Sequence, residues 1–278
     1  MTGSRPLAVV LINEAGYTAG AAVAGRLSAT LYLPAPISGR ELPPDGGQNV
    51  GYTEPPGELV TRLFRAGQGL VLVMAVGIAV RLLSGLPVDK RVDPPVVVLD
   101  TAARYAVSLL AGHEGGANAL AYRVAAVVGA EPVVTTGSEG RRTLAVGLGC
   151  RRGVEAPRIM EAVERGLAAV GRGKESIRVA ATADFKAHEP GLHQVCTELG
   201  IGLRVFNREA IRSVDGLFGE SRCARKYFDV GGVAEPCAFL AVHNGRIILP
   251  RLVADEVTVA LAEDRLWSPG SGRVPRST

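Results

Sequence analysis

One stretch of the chain combines a histidine with a cluster of glycines between a predicted strand and a predicted helix. It reads SLLAGHEGGANALAYRVA and runs from Ser108 to Ala125. Glycines let a backbone approach a ligand closely, and N–H groups at the start of a helix can hold a carboxylate or a developing oxyanion. His113 can exchange a proton near neutral pH. The stretch therefore predicts a catalytic site, the alternative being a glycine-rich turn with an incidental histidine.

We take His113 as the candidate catalytic residue of this stretch. The glycine spacing differs from the G-x-G-x-x-G of dinucleotide sites, and no acid stands where it would hold a ribose, so we expect no dinucleotide cofactor. The candidate substrate-binding residues around the histidine are Ser108, Gly112, Gly115, Gly116 and Asn118.

A second stretch, VGIAVRLLSGLPVDKRVDPP, follows the predicted buried strand GLVLVMA. Gly77 opens a short helical stretch that carries Arg81, and Lys90 lies on the loop beyond it. An arginine in an otherwise apolar stretch needs an anionic partner. Gly77, Arg81 and Lys90 are therefore candidate substrate-binding residues, although Lys90 also fits a solvated charged loop.

Three stretches of the second half place polar residues at predicted strand ends or helix starts: GLGCRRG, ATADFKAHEPG and VGGVAEPCAFLA. Helix capping would also explain Asp184, and a position close to a helix dipole would also explain Glu235. The candidate substrate-binding residues here are Arg151, Arg152, Asp184, Lys186, Glu189, Gly232 and Glu235.

Composition and missing motifs argue against several other classes of protein. The formal net charge is +4, but basic residues are dispersed and aromatic residues are few, so we expect no nucleic-acid partner. No apolar run reaches the ~18 residues of a membrane span. The four cysteines lack zinc spacing, and scattered reduced thiols favour a cytoplasmic location. No P-loop, G-x-S-x-G or H-E-x-x-H motif occurs, and we expect no metal site.

Strand and helix patterns alternate along the chain, which predicts an α/β fold: two α/β domains with parallel or mixed sheets flanked by helices. The pattern restarts after the polar residues Ser138–Thr143. The predicted domains are residues 1–140 and 141–264, followed by a disordered tail at 265–278. Residues 36–57 are predicted to be a polar loop. VVVLD and AVSLL are predicted to form a hairpin or two adjacent strands.

Taken together, these phrases resemble the CbiG proteins of anaerobic cobalamin biosynthesis. The resemblance extends from about Leu7 to Ala262, and the glycine–histidine phrase is its most specific part. It rests on GLVLVMAVGIAVRLL, DKRVDPPVVVLD, SLLAGHEGGANALAYRVAAVVGAEPVVTT, GLGCRRG, ATADFKAHEPGL and GGVAEPCAFLA. The second half alone is similar to CobE-like domains. The chain lacks a middle segment that many CbiG proteins carry, and Glu114 stands where an apolar residue is more common.

The resemblance implies a cobalt-precorrin-5A hydrolase, an enzyme that acts on carbon–carbon bonds. Such an enzyme opens the δ-lactone of cobalt-precorrin-5A, a polycarboxylate tetrapyrrole, and releases acetaldehyde to give cobalt-precorrin-5B. Cobalt arrives inside the substrate, so no cofactor and no protein metal site are implied. His113 would act as acid or base, and the basic residues named above would receive the carboxylates.

The resemblance also bears on partners. It implies neighbouring enzymes of the cobalamin pathway as partners and no membrane, and it leaves the oligomeric state open. The alternative function is that of a non-catalytic corrinoid-binding or handover protein in the same pathway.

Overall fold

The computed structural model describes residues 5–40, 48–137, 140 and 142–265. The chain divides into two compact units, Met1–Thr136 and Gly137–Thr278. Each contains a sheet flanked by helices, which confirms the predicted α/β class. Part of the predicted boundary segment (residues 138, 139 and 141), residues 41–47 of the predicted loop, and the predicted tail from 266 onward lie outside the described residues.

The first unit contains a seven-stranded sheet in the order β3-β2-β1-β4-β5-β6-β7. Strands β1 to β5 run parallel to their neighbours, whereas β6 is antiparallel to β5, and β7 is parallel to β6. The predicted hairpin is therefore confirmed. The strands are β1 Leu7–Leu11, β2 Thr30–Pro34, β3 Gln48–Tyr52, β4 Gly69–Val73, β5 Val96–Leu99, β6 Tyr105–Leu110 and β7 Glu131–Val133.

Helices cover both faces of this sheet, which is why its central strands are continuous apolar runs. Helices α1 (Tyr17–Arg26) and α4 (Ala117–Val128) pack on the face that includes Val9 and Val71. Helices α2 (Pro56–Arg65) and α3 (Val76–Leu82) pack on the opposite face, against residues such as Val10. Helix α4 ends at Gly129, whose φ of 74° is the left-handed conformation that glycine adopts readily, as the sequence predicted.

Strand β3 lies inside the segment that was predicted to be a polar loop, so that part of the prediction was wrong. Its sequence QNVGY is mostly exposed and lacks an apolar alternation. It forms a strand because its backbone pairs in parallel with β2 at the edge of the sheet. Buried Tyr52 anchors it by donating a 2.6 Å hydrogen bond to the Leu11 carbonyl oxygen. Pairing with a neighbour is a tertiary interaction that local composition does not reveal.

The second unit contains a five-stranded mixed sheet in the order β10-β9-β8-β12-β11. Strands β8 to β10 are parallel to one another, and β12 is antiparallel to both β8 and β11. The strands are β8 Leu144–Cys150, β9 Ile177–Ala183, β10 Gly202–Phe206, β11 Arg246–Ala254 and β12 Val257–Glu263.

The two faces of the second sheet are covered differently. Helices α5 (Ala156–Ala169) and α6 (Pro190–Leu199) form the larger core with β8, β9 and β12. Three shorter helices follow β10, namely α7 (Arg208–Arg212), α8 (Arg222–Phe228) and α9 (Ala234–Leu240). Helix α9 packs directly on β8, since a Cβ at Gly147 would lie 1.9 Å from the carbonyl oxygen of Ala234. Within the described residues, no helix is long and apolar enough to cross a membrane.

Candidate functional site

The loop of residues 111–116 connects β6 to α4 and carries His113. The antiparallel direction of β6 decides where this loop lies. Leu110, the last residue of β6, pairs with Val96, the first residue of β5. The loop therefore lies at the end of the sheet where β5 and the strands parallel to it begin.

The backbone of this loop explains two of its glycines. Ala111 has a φ of 56° and Gly116 a φ of 90°, both in the left-handed region. A Cβ at Gly115 would lie 2.3 Å from the Ala111 Cβ and 2.8 Å from the Ala111 oxygen. The Ala117 N–H donates to that same oxygen at 3.1 Å, which closes the turn on the start of α4. A side chain at position 115 would thus force this turn open.

The glycine–histidine loop presents backbone donors to solvent. In the part of the chain that the structure describes, the backbone N–H groups of residues 112, 113, 115 and 116 have no acceptor, whereas that of Glu114 bonds its own carboxylate. They precede the N-terminus of α4, whose dipole favours negative charge. The side chain of His113 is exposed beside them. The loop can therefore offer hydrogen bonds to an oxyanion or a carboxylate, together with an imidazole that can transfer a proton.

Ser108 and Asn118 flank the histidine loop in the sequence, and their side chains contact each other. Asn118 is buried, and its Oδ1 accepts a 2.8 Å hydrogen bond from Ser108 Oγ. Its Nδ2 donates to Thr136 Oγ1 at 3.0 Å. Thr136 was missed by the sequence analysis. The signal that could have indicated Thr136 is its position just after β7. Because β7 is parallel to β6, the chain leaves both strands at the same end of the sheet.

Lys90 and Glu114 form an ion pair, with 2.9 Å between Nζ and Oε1. The hydrogen bond from Lys90 holds the pKa of Glu114 below its ordinary value. Both side chains are well exposed. The loop that precedes β5 therefore reaches the histidine loop, and these two predicted site segments lie together.

Gly77 and Arg81 lie elsewhere in this unit. Helix α3 follows the carboxyl end of β4, the opposite end of the sheet, and packs on the face opposite to α4. The exposed Arg81 donates to the Gly77 carbonyl oxygen of its own helix at 3.3 Å. Among the described residues it has no anionic partner. Val76 and Val80 are exposed on the same short helix.

In the second unit, the predicted residues gather at the carboxyl ends of β8 and β9. Lys186 Nζ lies 3.2 Å from Glu189 Oε1, and these side chains are only 12% and 11% exposed. Glu189 Oε2 also accepts a 2.9 Å hydrogen bond from the Gly153 N–H. Burial opposes ionisation of Glu189, but the hydrogen bonds from Gly153 and Lys186, together with the more distant positive charge of Arg152, hold its pKa below the ordinary value. Gly153 was not predicted.

Arg151, Arg152 and Asp184 follow the carboxyl ends of the same two strands and are exposed. The Arg151 guanidinium lies 3.6 Å from the Glu256 carboxylate. The backbone N–H of Arg151 donates to the backbone carbonyl oxygen of Glu256. Asp184 begins a short 3-10 turn, Asp184–Lys186, and does not cap α6. The capping explanation of Asp184 is therefore wrong for this helix.

Gly232 and Glu235 lie at the start of α9, which begins beside the end of β8 because Val233 packs next to Gly149. Glu235 occupies the first turn, as predicted, where a carboxylate complements the helix dipole. Asp215, which the sequence analysis missed, orders the preceding segment by accepting a 2.8 Å hydrogen bond from the Gly231 N–H.

Burial affects the acidity of the cysteine thiols in the second unit. Burial raises the pKa of Cys150 to about 11 and that of Cys196 to about 12. Both are free thiols, as is Cys237. No group of three or more His, Cys, Asp or Glu side chains within the described ranges could hold a metal ion.

Comparison with known proteins relates both halves of the chain to one family. Residues 58–139 match the model described as cobalamin synthesis G N-terminal, and residues 144–262 match cobalamin synthesis G C-terminus. The cobalt-precorrin-5A hydrolase of Priestia megaterium is 23% identical over 302 residues, covering 73% of this chain and 80% of that protein. The Salmonella typhimurium enzyme of the same name is 25% identical over 290 residues, covering 71% and 82%.

A solved structure resembles part of the chain. The crystal structure of CobE, a protein from the cobalamin (vitamin B12) biosynthetic pathway, is 26% identical and covers 44% of this chain and 89% of its own, with a TM-score of 0.42. The family matches span both compact units, and the aligned hydrolases extend over most of the chain. The chain therefore belongs to the cobalamin synthesis G (CbiG) family.

Proposed function

We propose that this protein is a cobalt-precorrin-5A hydrolase of cobalamin biosynthesis. The observation that carries the proposal is the alignment with two hydrolases of that name over more than 70% of the chain, with both family models in order. The substrate would be cobalt-precorrin-5A and the products cobalt-precorrin-5B and acetaldehyde. Cobalt belongs to the substrate in this reaction, and no protein-bound cofactor is proposed.

The first step would be addition of water to the lactone carbonyl carbon. The new C–O bond places negative charge on the carbonyl oxygen, and collapse of this tetrahedral species breaks the ring C–O bond to give a carboxylate and an alcohol. The N–H groups of residues 112, 113, 115 and 116 suit the oxyanion, because they have no acceptor in the described chain. His113 would take the proton of the attacking water and return it to the leaving alkoxide.

The second step would release the two-carbon fragment. Removal of the proton from the hydroxyethyl alcohol lets the C–O bond become a carbonyl while the C–C bond to the macrocycle breaks. The electron pair passes into the conjugated macrocycle, and the fragment leaves as acetaldehyde. His113 is exposed on the loop and so is accessible to act as this base as well.

The basic residues would hold the substrate's acetate and propionate groups. Exposed Arg81 and Arg152 have no carboxylate within ion-pair distance among the described residues, and each could therefore bind an anionic group. Arg81 lies at the end of the sheet opposite His113, so it would bind a carboxylate remote from the lactone. Lys90, Arg151 and Lys186 already face acidic side chains, so substrate would have to exchange with or extend those pairs. We also propose a cytoplasmic location, since the described cysteines are free thiols.

Incubation of the purified protein with cobalt-precorrin-5A tests the proposal. The expected result is one acetaldehyde released per macrocycle consumed, detected by an aldehyde-specific reagent, with the mass of the macrocycle changing accordingly. Tight binding of the macrocycle with no acetaldehyde would overturn the hydrolase assignment in favour of a handover protein. Absence of both binding and turnover would overturn both functions.

A further inference from the structure

We propose that Asn118 is a positioning residue that holds the His113 loop in shape through its two side-chain hydrogen bonds. The sequence analysis placed Asn118 among the residues that touch substrate. Its side chain is instead buried, and both of its polar atoms are used inside the chain. The kinetic part of this inference rests on the proposed function.

The Asn118 amide bridges two hydroxyl groups. Ser108 Oγ donates to Asn118 Oδ1 at 2.8 Å, and Asn118 Nδ2 donates to Thr136 Oγ1 at 3.0 Å. An amide side chain supplies an acceptor and a donor side by side on one short planar group. The chain Ser108–Asn118–Thr136 thereby links β6, α4 and the segment after β7.

Gly112 connects this chain of hydrogen bonds to the histidine loop. The Asn118 N–H donates to the Gly112 carbonyl oxygen at 2.9 Å. The Cα of Gly112 packs so closely that a Cβ there would lie 2.8 Å from Asn118 Oδ1 and 2.7 Å from Thr136 Cγ2. Gly112 immediately precedes His113, so a shift of the Asn118 amide would displace the histidine and the exposed N–H groups together. Misplacement by about 1 Å can cost about 100-fold in rate.

Matched substitutions of the two partners test this role. Thr136→Val and Ser108→Ala each remove one hydroxyl, whereas Thr136→Ser and Ser108→Thr keep it. We expect the first two variants to lower kcat for acetaldehyde release by about 10- to 100-fold with KM within a few-fold. They should also accelerate amide hydrogen exchange at Ala117 and Asn118, whose N–H groups donate to the loop carbonyl oxygens of Ala111 and Gly112. The hydroxyl-retaining variants should keep wild-type kcat and exchange.

Tyr52→Phe is the control, because it removes a buried hydroxyl hydrogen bond from the same unit at the far edge of the sheet. It should lower the melting temperature while leaving kcat and loop exchange unchanged. If Thr136→Val and Ser108→Ala behave like this control, Asn118 is merely structural and the inference is overturned. If the wild-type protein releases no acetaldehyde, hydrogen exchange alone decides: unchanged exchange at Ala117 and Asn118 refutes the positioning role, and faster exchange supports it.

Discussion

Lys90 Nζ lies 2.9 Å from Glu114 Oε1, and this ion pair joins the loop that precedes β5 to the loop that carries His113. The reversal of β6 makes the contact possible, because it brings the end of β6 next to the start of β5. Lys90 is therefore compensated by a carboxylate before any substrate binds. Under the proposed function, Glu114 would compete with a substrate carboxylate for the same ammonium group.

Removing the negative charge of Glu114 should therefore strengthen the binding of an anionic substrate. Glu114→Gln should tighten binding of cobalt-precorrin-5A by about two- to five-fold, the size of an exposed ion pair. The melting temperature should be unchanged because both side chains are exposed. Titration followed by the absorbance of the macrocycle measures the affinity. Weaker binding by the variant would mean that Glu114 contacts the substrate favourably.

His113→Ala should lose about 10²- to 10⁴-fold in the rate of acetaldehyde release, the usual cost of removing a general acid–base group. Substrate affinity should stay within a few-fold and the melting temperature should be near normal, since the side chain is exposed. His113→Asn should be equally slow if proton transfer is its role. His243→Ala, which removes another exposed histidine, serves as the control with normal turnover. A fully active His113→Ala protein would leave the backbone N–H groups as the functional element.

Arg81→Ala should weaken substrate binding by about five-fold or more, because a cation without an internal anionic partner can pair with a substrate carboxylate. Arg65→Ala removes an exposed arginine from α2 and should have a smaller effect. Affinity of the wild-type protein should fall as salt is added, since exposed charges are screened over ~8–10 Å at physiological ionic strength. Equal effects of the two substitutions, measured by titration, would remove Arg81 from the binding site.

Glu189→Gln should lower the free energy of unfolding at neutral pH by about 1–3 kcal/mol, because it leaves the buried Lys186 ammonium without its carboxylate. The folded pKa of Glu189 is held below the ordinary 4.5. Its ionised form therefore stabilises the fold above that pH, and this contribution is lost as pH falls through the folded pKa. Denaturant unfolding should show a constant gap between wild type and variant above about pH 5 that narrows below 4.5. A gap that persists at lower pH would contradict the pairing.

Arg178→Met should destabilise the second unit by about 3–5 kcal/mol, because it leaves a buried carboxylate without its counter-charge. Arg178 Nε and Nη2 lie 2.9 and 3.1 Å from the two oxygens of Asp264, whose side chain is 4% exposed. Arg172→Met is the matched control, since its pair with Glu263 is more exposed and should contribute less than about 1 kcal/mol. Similar unfolding midpoints for the two variants would show that the Arg178 pair contributes little.

Several features of this protein were determined by the sequence alone. Apolar runs such as GLVLV and LAVGLGC form strands because a strand covered by helices on both faces must be apolar on both. Gly129 ends α4 because glycine adopts a positive φ at little cost. The phrases around His113, Lys186 and Glu235 were sufficient to indicate the family, which the comparisons confirmed.

The grouping of the site residues was decided by the tertiary structure. The direction of β6 places His113 beside Lys90 and leaves Gly77 at the opposite end of the sheet, and strand direction depends on pairing between segments rather than on local composition. Strand β3 exists for the same reason, since its polar residues pair with β2. Asn118 and Ser108 were predicted to bind substrate, but the Asn118 side chain is buried and bonds Ser108 and Thr136 inside the chain. Burial depends on what the rest of the chain packs against a residue, which no short stretch of sequence contains.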